Sequence, residues 1–271
     1  MESKRMQALH QKTKELLESG TVQVIIGYGR GCGDRVRPVF VRNAETAAGL
    51  VWDDRCRQNL AVYLNKPEIK NLGTPAIVAT PAAVKSIIQL ISENQVKPCS
   101  VVVLAVDQGA VLELKDNASL EEYSAKHPVV FPPFVLKEMK TIAEMPLPQR
   151  NAYWQNELSR CFKCYACRAA CPLCYCERCI SENNQPQWVC PASHPQGNFE
   201  WHINRAMHLA GRCIECGSCS IACPVGIPIG LLTIEASRMV KQEFGHEPGL
   251  RCNADSAMSS FNTDDRETFI Q

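Results

Sequence analysis

A chain of 271 residues, 45% hydrophobic and 21% charged, can bury one large core or two smaller ones. Its formal net charge of +1 excludes the strong basic field that binding to nucleic acid or an anionic membrane surface requires. No segment approaches the roughly 18 uncharged apolar residues that would cross a bilayer, so no membrane span is expected.

Residues 4–18 place Met6, Leu9, Leu16 and Leu17 at helical spacing, and Gly20 ends the pattern. The stretch from Met1 to Gly20 is charged and amphipathic, without the apolar h-region of a signal peptide, so a reducing cytoplasm is the expected compartment. Runs rich in Val and Ile at Val22–Ile26, Val36–Arg42, Ala76–Thr80 and Val101–Val106 predict strands. Between the last two, Pro81–Asn94 carries Val84, Ile87, Ile88 and Ile91 on one face and predicts a helix entered through Pro81. Strand, helix and strand in that order make a parallel crossover, which predicts an α/β fold for residues 1–127. The cluster Gly27-Tyr28-Gly29-Arg30-Gly31-Cys32-Gly33 follows a strand, but no capped helical pattern comes after it. It therefore reads as a glycine-rich turn between strands rather than a phosphate loop. Cys56 and Cys99 read as small buried hydrophobes. Pro128, Pro132, Pro133, Pro146 and Pro148 mark 128–149 as a linker with one short helix near Phe134–Met145.

Cysteine usage changes abruptly beyond that point. Only Cys32, Cys56 and Cys99 precede residue 160, whereas twelve of the sixteen cysteines lie between 161 and 223. Cys161, Cys164, Cys167 and Cys171 before Pro172 recur as Cys213, Cys216, Cys219 and Cys223 before Pro224. Each is the C-x2-C-x2-C-x3-C-P run that wraps a [4Fe–4S] cluster. Three cysteines spaced in this way line one side of a tight loop and reach three irons of a cubane, so the fourth iron takes its ligand from elsewhere. In two-cluster ferredoxins the cysteine before proline serves the other cluster. That assigns one cluster to Cys161, Cys164, Cys167 and Cys223, and its neighbour to Cys213, Cys216, Cys219 and Cys171. Zinc is satisfied by one tetrahedral set and has no use for the duplicated run. A disulfide framework belongs to short secreted chains. Oxygen-sensitive clusters point to an anaerobe.

A third constellation follows Pro172 directly: Cys174, Cys176 and Cys179, with Cys190 as a possible fourth ligand. A third iron–sulfur cluster, a zinc site, and free or packed thiols are all open readings. Arg160, Lys163, Arg168 and Arg178 would favour a reduced cluster and Glu215 would oppose it, unless they are simply solvated surface charges. Gly217 and Ser218 are small enough to let backbone N–H groups point at cluster sulfurs. His194, His202 and His208 read as helix-surface or core residues, and Trp154, Trp188 and Trp201 as core packing. Helical patterns at Tyr153–Arg160, Asn198–Gly211 and Ile229–Phe244 flank the cysteine runs, making residues 150–248 an all-α domain. Residues 249–271 read as a polar tail in which Cys252 has no visible companion.

Two resemblances carry specific residues. Gly20–Gly29, Arg37-Pro38-Val39-Phe40-Val41-Arg42, Val51-Trp52 and Cys56-Arg57-Gln58-Asn59-Leu60-Ala61-Val62-Tyr63-Leu64 resemble the amino-terminal domain of the beta subunits of deazaflavin-coenzyme-reducing hydrogenases and formate dehydrogenases, over about residues 15–110. Fuller members carry further cysteines where this chain has Thr80-Pro81-Ala82 and Val106-Asp107-Gln108. That departure implies a docking platform, or a degenerate flavin-type domain, in this half. Residues of about 150–245, with 41 residues between Cys171 and Cys213, resemble the α-helical dicluster ferredoxin of succinate dehydrogenase iron–sulfur subunits and of the small heterodisulfide reductase subunit.

The chain shows no nucleophile with an adjacent base, no paired carboxylates in a shared motif and no convincing dinucleotide loop, so no catalytic residues are assigned. The resulting expectation is an electron-transfer subunit between a flavoprotein, hydrogenase or formate dehydrogenase-type partner and an acceptor such as heterodisulfide reductase. The alternative is a flavin-containing subunit that itself reduces a nicotinamide or deazaflavin.

Overall fold

The computed structural model describes residues 2–106, 110–183 and 185–254, and the chain divides into two compact units. One comprises Met1–Pro128 with Pro248–Ala254, and the other Val129–Glu247.

The first unit opens with α1 (Glu2–Glu18), after which Gly20 takes a φ of +69° that a residue with a side chain adopts only under strain. β1 (Val24–Arg30) pairs antiparallel with β2 (Val36–Val41), in a register that sets Ile25 against Val41 and Arg30 against Val36. Two short 3-10 turns at Ala44–Gly49 and Leu60–Tyr63 and a one-turn helix, α2 (Pro67–Lys70), lead to β3 (Pro75–Ala79), parallel to β1. α3 (Pro81–Ser92) crosses over to β4 (Val102–Val106), parallel to β3. β5 (Val111–Leu114) returns antiparallel to β4, and α4 (Asn117–Lys126) follows. The five strands stand in the order β2-β1-β3-β4-β5, a mixed sheet. β3 and β4 are unbroken apolar runs and β1 is buried from Val24 to Gly29, because the sheet is buried there on both faces.

The predicted crossover is present. Thr80 and Pro81 begin α3: Thr80 Oγ1 accepts the Ala83 N–H at 3.2 Å and Pro81 occupies the first turn. Asp107 and Gln108 lie outside the described residues. β5 and α4 have no counterpart in the sequence reading, since four residues such as Val-Leu-Glu-Leu are too few for a periodic signal. The glycine cluster is strand and turn. Gly27 and Gly29 lie in β1, where an added Cβ would meet Leu50 Cδ2 at 2.5 Å and Val39 Cγ1 at 2.6 Å. Cys56 is buried, and desolvation pushes its thiol up to about 11. Cys99 is exposed, contrary to expectation: it occupies a turn with φ +59° after Pro98, where no apolar element covers it.

The polar tail begins later than its composition implies. Pro248–Ala254 belongs to the first unit, because its backbone finds partners there. Ser124 Oγ donates to the Gly249 carbonyl at 2.8 Å, the Gly249 N–H to Gln89 Oε1 at 3.1 Å, and the Cys252 N–H to Glu121 Oε1 at 2.7 Å. Cys252 is buried, and desolvation pushes its thiol up to about 12. The remainder of the tail, 255–271, lies outside the described residues.

The second unit is helical among the described residues: α5 (Pro133–Glu144), α6 (Leu147–Ser159), α7 (Ala166–Ala169), α8 (Pro195–Leu209), α9 (Ser218–Ile221) and α10 (Ile229–Phe244). The short helix expected near Phe134–Met145 is α5, but from Val129 on the segment 128–149 belongs to this unit and runs into α6 rather than linking to it. Four of its five prolines sit at helix starts, where the missing N–H costs nothing, with Pro132 and Pro146 as N-caps and Pro133 and Pro148 in the first turns. Ile142, with Val135, Met139 and Met145, then packs on the core formed by Trp154, Leu158, Trp201, Ile227, Ile229 and Leu231. Trp188 is not part of that core; it is 77% exposed in the loop before α8.

Candidate metal centres

The two cysteine runs fold alike, position by position. Lys163 and Glu215, two residues after the first cysteine of each run, have φ of +54° and +62°. Tyr165 and Gly217, one residue after the second, have +58° and +69°. A left-handed backbone costs a non-glycine residue about 1–2 kcal/mol, and three such residues stand in these two loops. The conformation turns main-chain N–H groups inward: the Lys163 N–H lies 3.3 Å from Cys161 Sγ, and the Glu215 N–H bonds the Cys213 thiol in the equivalent place. A one-turn helix follows each loop, α7 in the first and α9 in the second, and the two pack together. That contact carries the last cysteine of each run across to the other loop.

Two small cavities result. One is lined by Cys161, Cys164, Cys167 and Cys223, with Tyr165 and Trp201. The other is lined by Cys171, Cys213, Cys216 and Cys219, with Arg205 and Gly217. The sequence therefore brings together, in two separate places, three thiols from one run and one from the other. Among the described residues no group of three His, Cys, Asp or Glu side chains is disposed to hold a single metal ion. Four thiols in each set fit the cysteine donors that an iron–sulfur cluster takes. The Ile227 N–H donates toward Cys223 Sγ at 3.3 Å, and the Cys213 thiol donates to Thr233 Oγ1 at 3.6 Å. Hydrogen bonds donated to sulfur stabilise the thiolate and tune a cluster's potential.

The thiols are held in places that disfavour a bare thiolate. Desolvation pushes Cys167 up to about 12 and Cys219 up to about 11, and raises Cys161 and Cys213 as well. In Cys171 a hydrogen bond with Cys174, followed by burial, raises the thiol, while the same hydrogen bond lowers Cys174. A cation placed among these sulfurs would favour their ionised form.

None of Cys174, Cys176, Cys179 and Cys190 lines either cavity. Cys174 lies against Cys171 and Arg205. The Cys176 carbonyl accepts from Arg168 Nη2 at 2.7 Å, Cys179 is partly exposed, and the Cys190 carbonyl accepts from the Lys163 ammonium beside the first cavity. Arg168 is also paired with Glu182 at 3.0 Å, Arg160 with the Val225 carbonyl at 3.0 Å, and Glu215 with Arg238 at 3.8 Å. Gly217 and Ser218 start α9 beside the second cavity. His194 caps α8, its Nδ1 accepting the Gly197 N–H at 3.3 Å, and His208 is exposed. His202 is buried with neither ring nitrogen hydrogen-bonded, and desolvation lowers it to about 3, so it is neutral.

Sequence reading missed Arg205, which is 4% exposed on α8. Its spacing carries the signal, since residues 201, 205 and 209 share one helix face and Trp201 and Leu209 are both buried. A cation in an otherwise apolar stripe needs an anion nearby.

In the first unit an open cleft of about 900 Å³ runs along β1 and β2, with His10, Arg37, Trp52 and Arg55 among its lining. Among the described residues no helix is long and apolar enough to cross a membrane.

No family model matches the chain. It is 32% identical over 97 residues to the F420-dependent formate dehydrogenase subunit beta of Methanocaldococcus jannaschii, covering 36% of this chain and 25% of that protein. It is 30% identical over 105 residues to the F420-dependent formate dehydrogenase 1 subunit beta of Methanococcus maripaludis, covering 39% and 26%. The matched stretch spans about a quarter of the length of these curated relatives. The resemblance read in the amino-terminal half, to beta subunits of formate dehydrogenases of this type, is thereby shown.

Proposed function

We propose that this chain is an electron-transfer iron–sulfur subunit of a cytoplasmic oxidoreductase complex, with its α/β unit docking to a formate dehydrogenase-, hydrogenase- or flavoprotein-type partner. The observation that carries the reading is the crossed sorting of eight thiols into two cavities. Cys161, Cys164, Cys167 and Cys223 would hold one [4Fe–4S] cluster, and Cys213, Cys216, Cys219 and Cys171 the other. Bound there, such clusters accept and release single electrons without proton or bond chemistry. The residues supply the rest. The strained loops aim N–H groups at sulfur, Trp201, Ile227 and Ile229 exclude water from the first cavity, and Ile214, Leu209 and Ile234 do so for the second. Cys174, Cys176, Cys179 and Cys190 are proposed to hold a third iron–sulfur centre. About twelve irons per chain would support it, and about eight would remove it. Heterodisulfide reductase is the proposed acceptor, on the strength of the helical unit's resemblance.

The cleft beside β1 and β2 favours a second reading, in which the first unit holds a flavin and reduces a nicotinamide or deazaflavin itself; its size falls within the range of small-molecule sites. Release of flavin on denaturing the purified protein would support that reading, and its absence would count against it. For the primary reading, a native pull-down from anaerobic extract is expected to bring down oxidoreductase subunits. A homogeneous lone monomer would overturn it.

A further inference from the structure

The ligand assignment leaves Arg205 unexplained. Its side chain is buried among thiols: Nη2 donates to the Cys167 carbonyl at 3.2 Å, and the guanidinium also hydrogen-bonds the Cys174 thiol. The charged-group neighbours it feels most strongly are Cys174, Cys219, Cys171 and Cys167, and no carboxylate is among them. It lines the second cavity and not the first. An arginine shut away from water without an anion costs several kcal/mol, so its position requires negative charge on the sulfurs around it. Lys163, the cation of the first cavity, differs in that its ammonium is engaged by the Cys190 carbonyl.

We propose that Arg205 is the fixed charge that sets the reduction potential of the Cys171–Cys213–Cys216–Cys219 cluster above that of its neighbour, so that an electron entering the pair settles at this end. The inference rests on the two-cluster reading. Reduction adds one electron to this cluster, taken from the neighbouring cluster or, in the experiment, from dithionite. No bond forms or breaks, and no proton follows, because the guanidinium keeps its charge throughout. The added negative charge is stabilised by Arg205, which favours the reduced form. Because the Cys167 carbonyl and thiol also face Arg205, the first cluster is shifted in the same direction, but less.

The test is an EPR-monitored redox titration of the anaerobically purified full chain, with iron counted in each preparation. The second-cluster signal is assigned through Cys213→Ser. Arg205→Met with wild-type iron content is expected to lower that cluster's reduction equilibrium by about tenfold or more, about 59 mV for a one-electron couple, with a smaller shift at the other cluster. Arg205→Lys is expected to restore most of the loss. Unchanged potentials in an iron-replete Arg205→Met protein overturn the assignment while leaving the two clusters intact. Should that variant lose iron, protein labelled with 15N-arginine decides the matter. A nitrogen hyperfine coupling on the reduced second cluster, lost in Arg205→Lys, supports the assignment, and its absence in the labelled wild type overturns it. A wild-type protein without reducible clusters overturns the reading beneath as well.

Discussion

In the first unit the interior is aliphatic: Leu9, Ile25, Ala76, Val78 and Leu104 are fully buried around a five-stranded sheet. In the second, Cys167 and Cys219 occupy core positions beside Trp201 and Ile229, and α7 and α9 are only four residues long. A four-residue helix has no stability of its own. The first unit thus contains the burial that folds it, whereas in the second the proposed clusters would sit inside the core, which would link its folding to metal loading.

The largest expected effect breaks that comparison directly. Oxidative removal of iron in the presence of a chelator should abolish near-UV CD from the second unit's aromatics and open residues 129–247 to protease, with residues 1–128 left resistant. Equal survival of both units would contradict the difference drawn here. Next comes the crossing. Cys223→Ser should perturb the same EPR signal as Cys161→Ser, and Cys171→Ser the same signal as Cys213→Ser. Pairing within each run, Cys171 with Cys161 and Cys223 with Cys213, would show that the thiols are not exchanged.

How much of this was legible in sequence differs between the units for a physical reason. The β3–α3–β4 crossover was readable because its strands are buried on both faces and Thr80-Pro81 marks a helix start. Cysteine spacing grouped the same thiols that line the two cavities. Residues 128–149 misled because prolines at helix N-termini look like linker composition. The return of Pro248–Ala254 was invisible, being held by main-chain groups bonded to Ser124, Gln89 and Glu121 rather than by an apolar pattern. Arg205 is conspicuous only once the helix face is known.

Smaller effects sharpen the account of the first unit. Gly249 has φ +74°, and an added Cβ would lie 2.6 Å from the Lys85 carbonyl oxygen. Gly249→Ala should therefore destabilise this unit by about 2–4 kcal/mol in thermal unfolding; an unchanged Tm would mean that the returning segment is not part of its fold. The smallest effect is electrostatic. Burial alone would raise Glu113, but Lys115 at 2.7 Å and Lys12 at 2.5 Å outweigh it and hold the carboxyl below its usual value of 4.5. Its contribution is present above the unfolded pKa and is lost as pH falls through the lowered folded value. Glu113→Gln should cost about 1 kcal/mol or less at pH 7, with the difference from wild type vanishing as pH falls below the lowered folded value. A difference independent of pH would assign the effect to packing.

The most direct measurement of the central claim is EPR of anaerobically purified, dithionite-reduced protein, with iron and acid-labile sulfide counted on the same sample. The account predicts at least about eight irons per chain and two cubane signals broadened by their mutual coupling. About four irons with one isolated signal, or no paramagnetic iron at all, would contradict it.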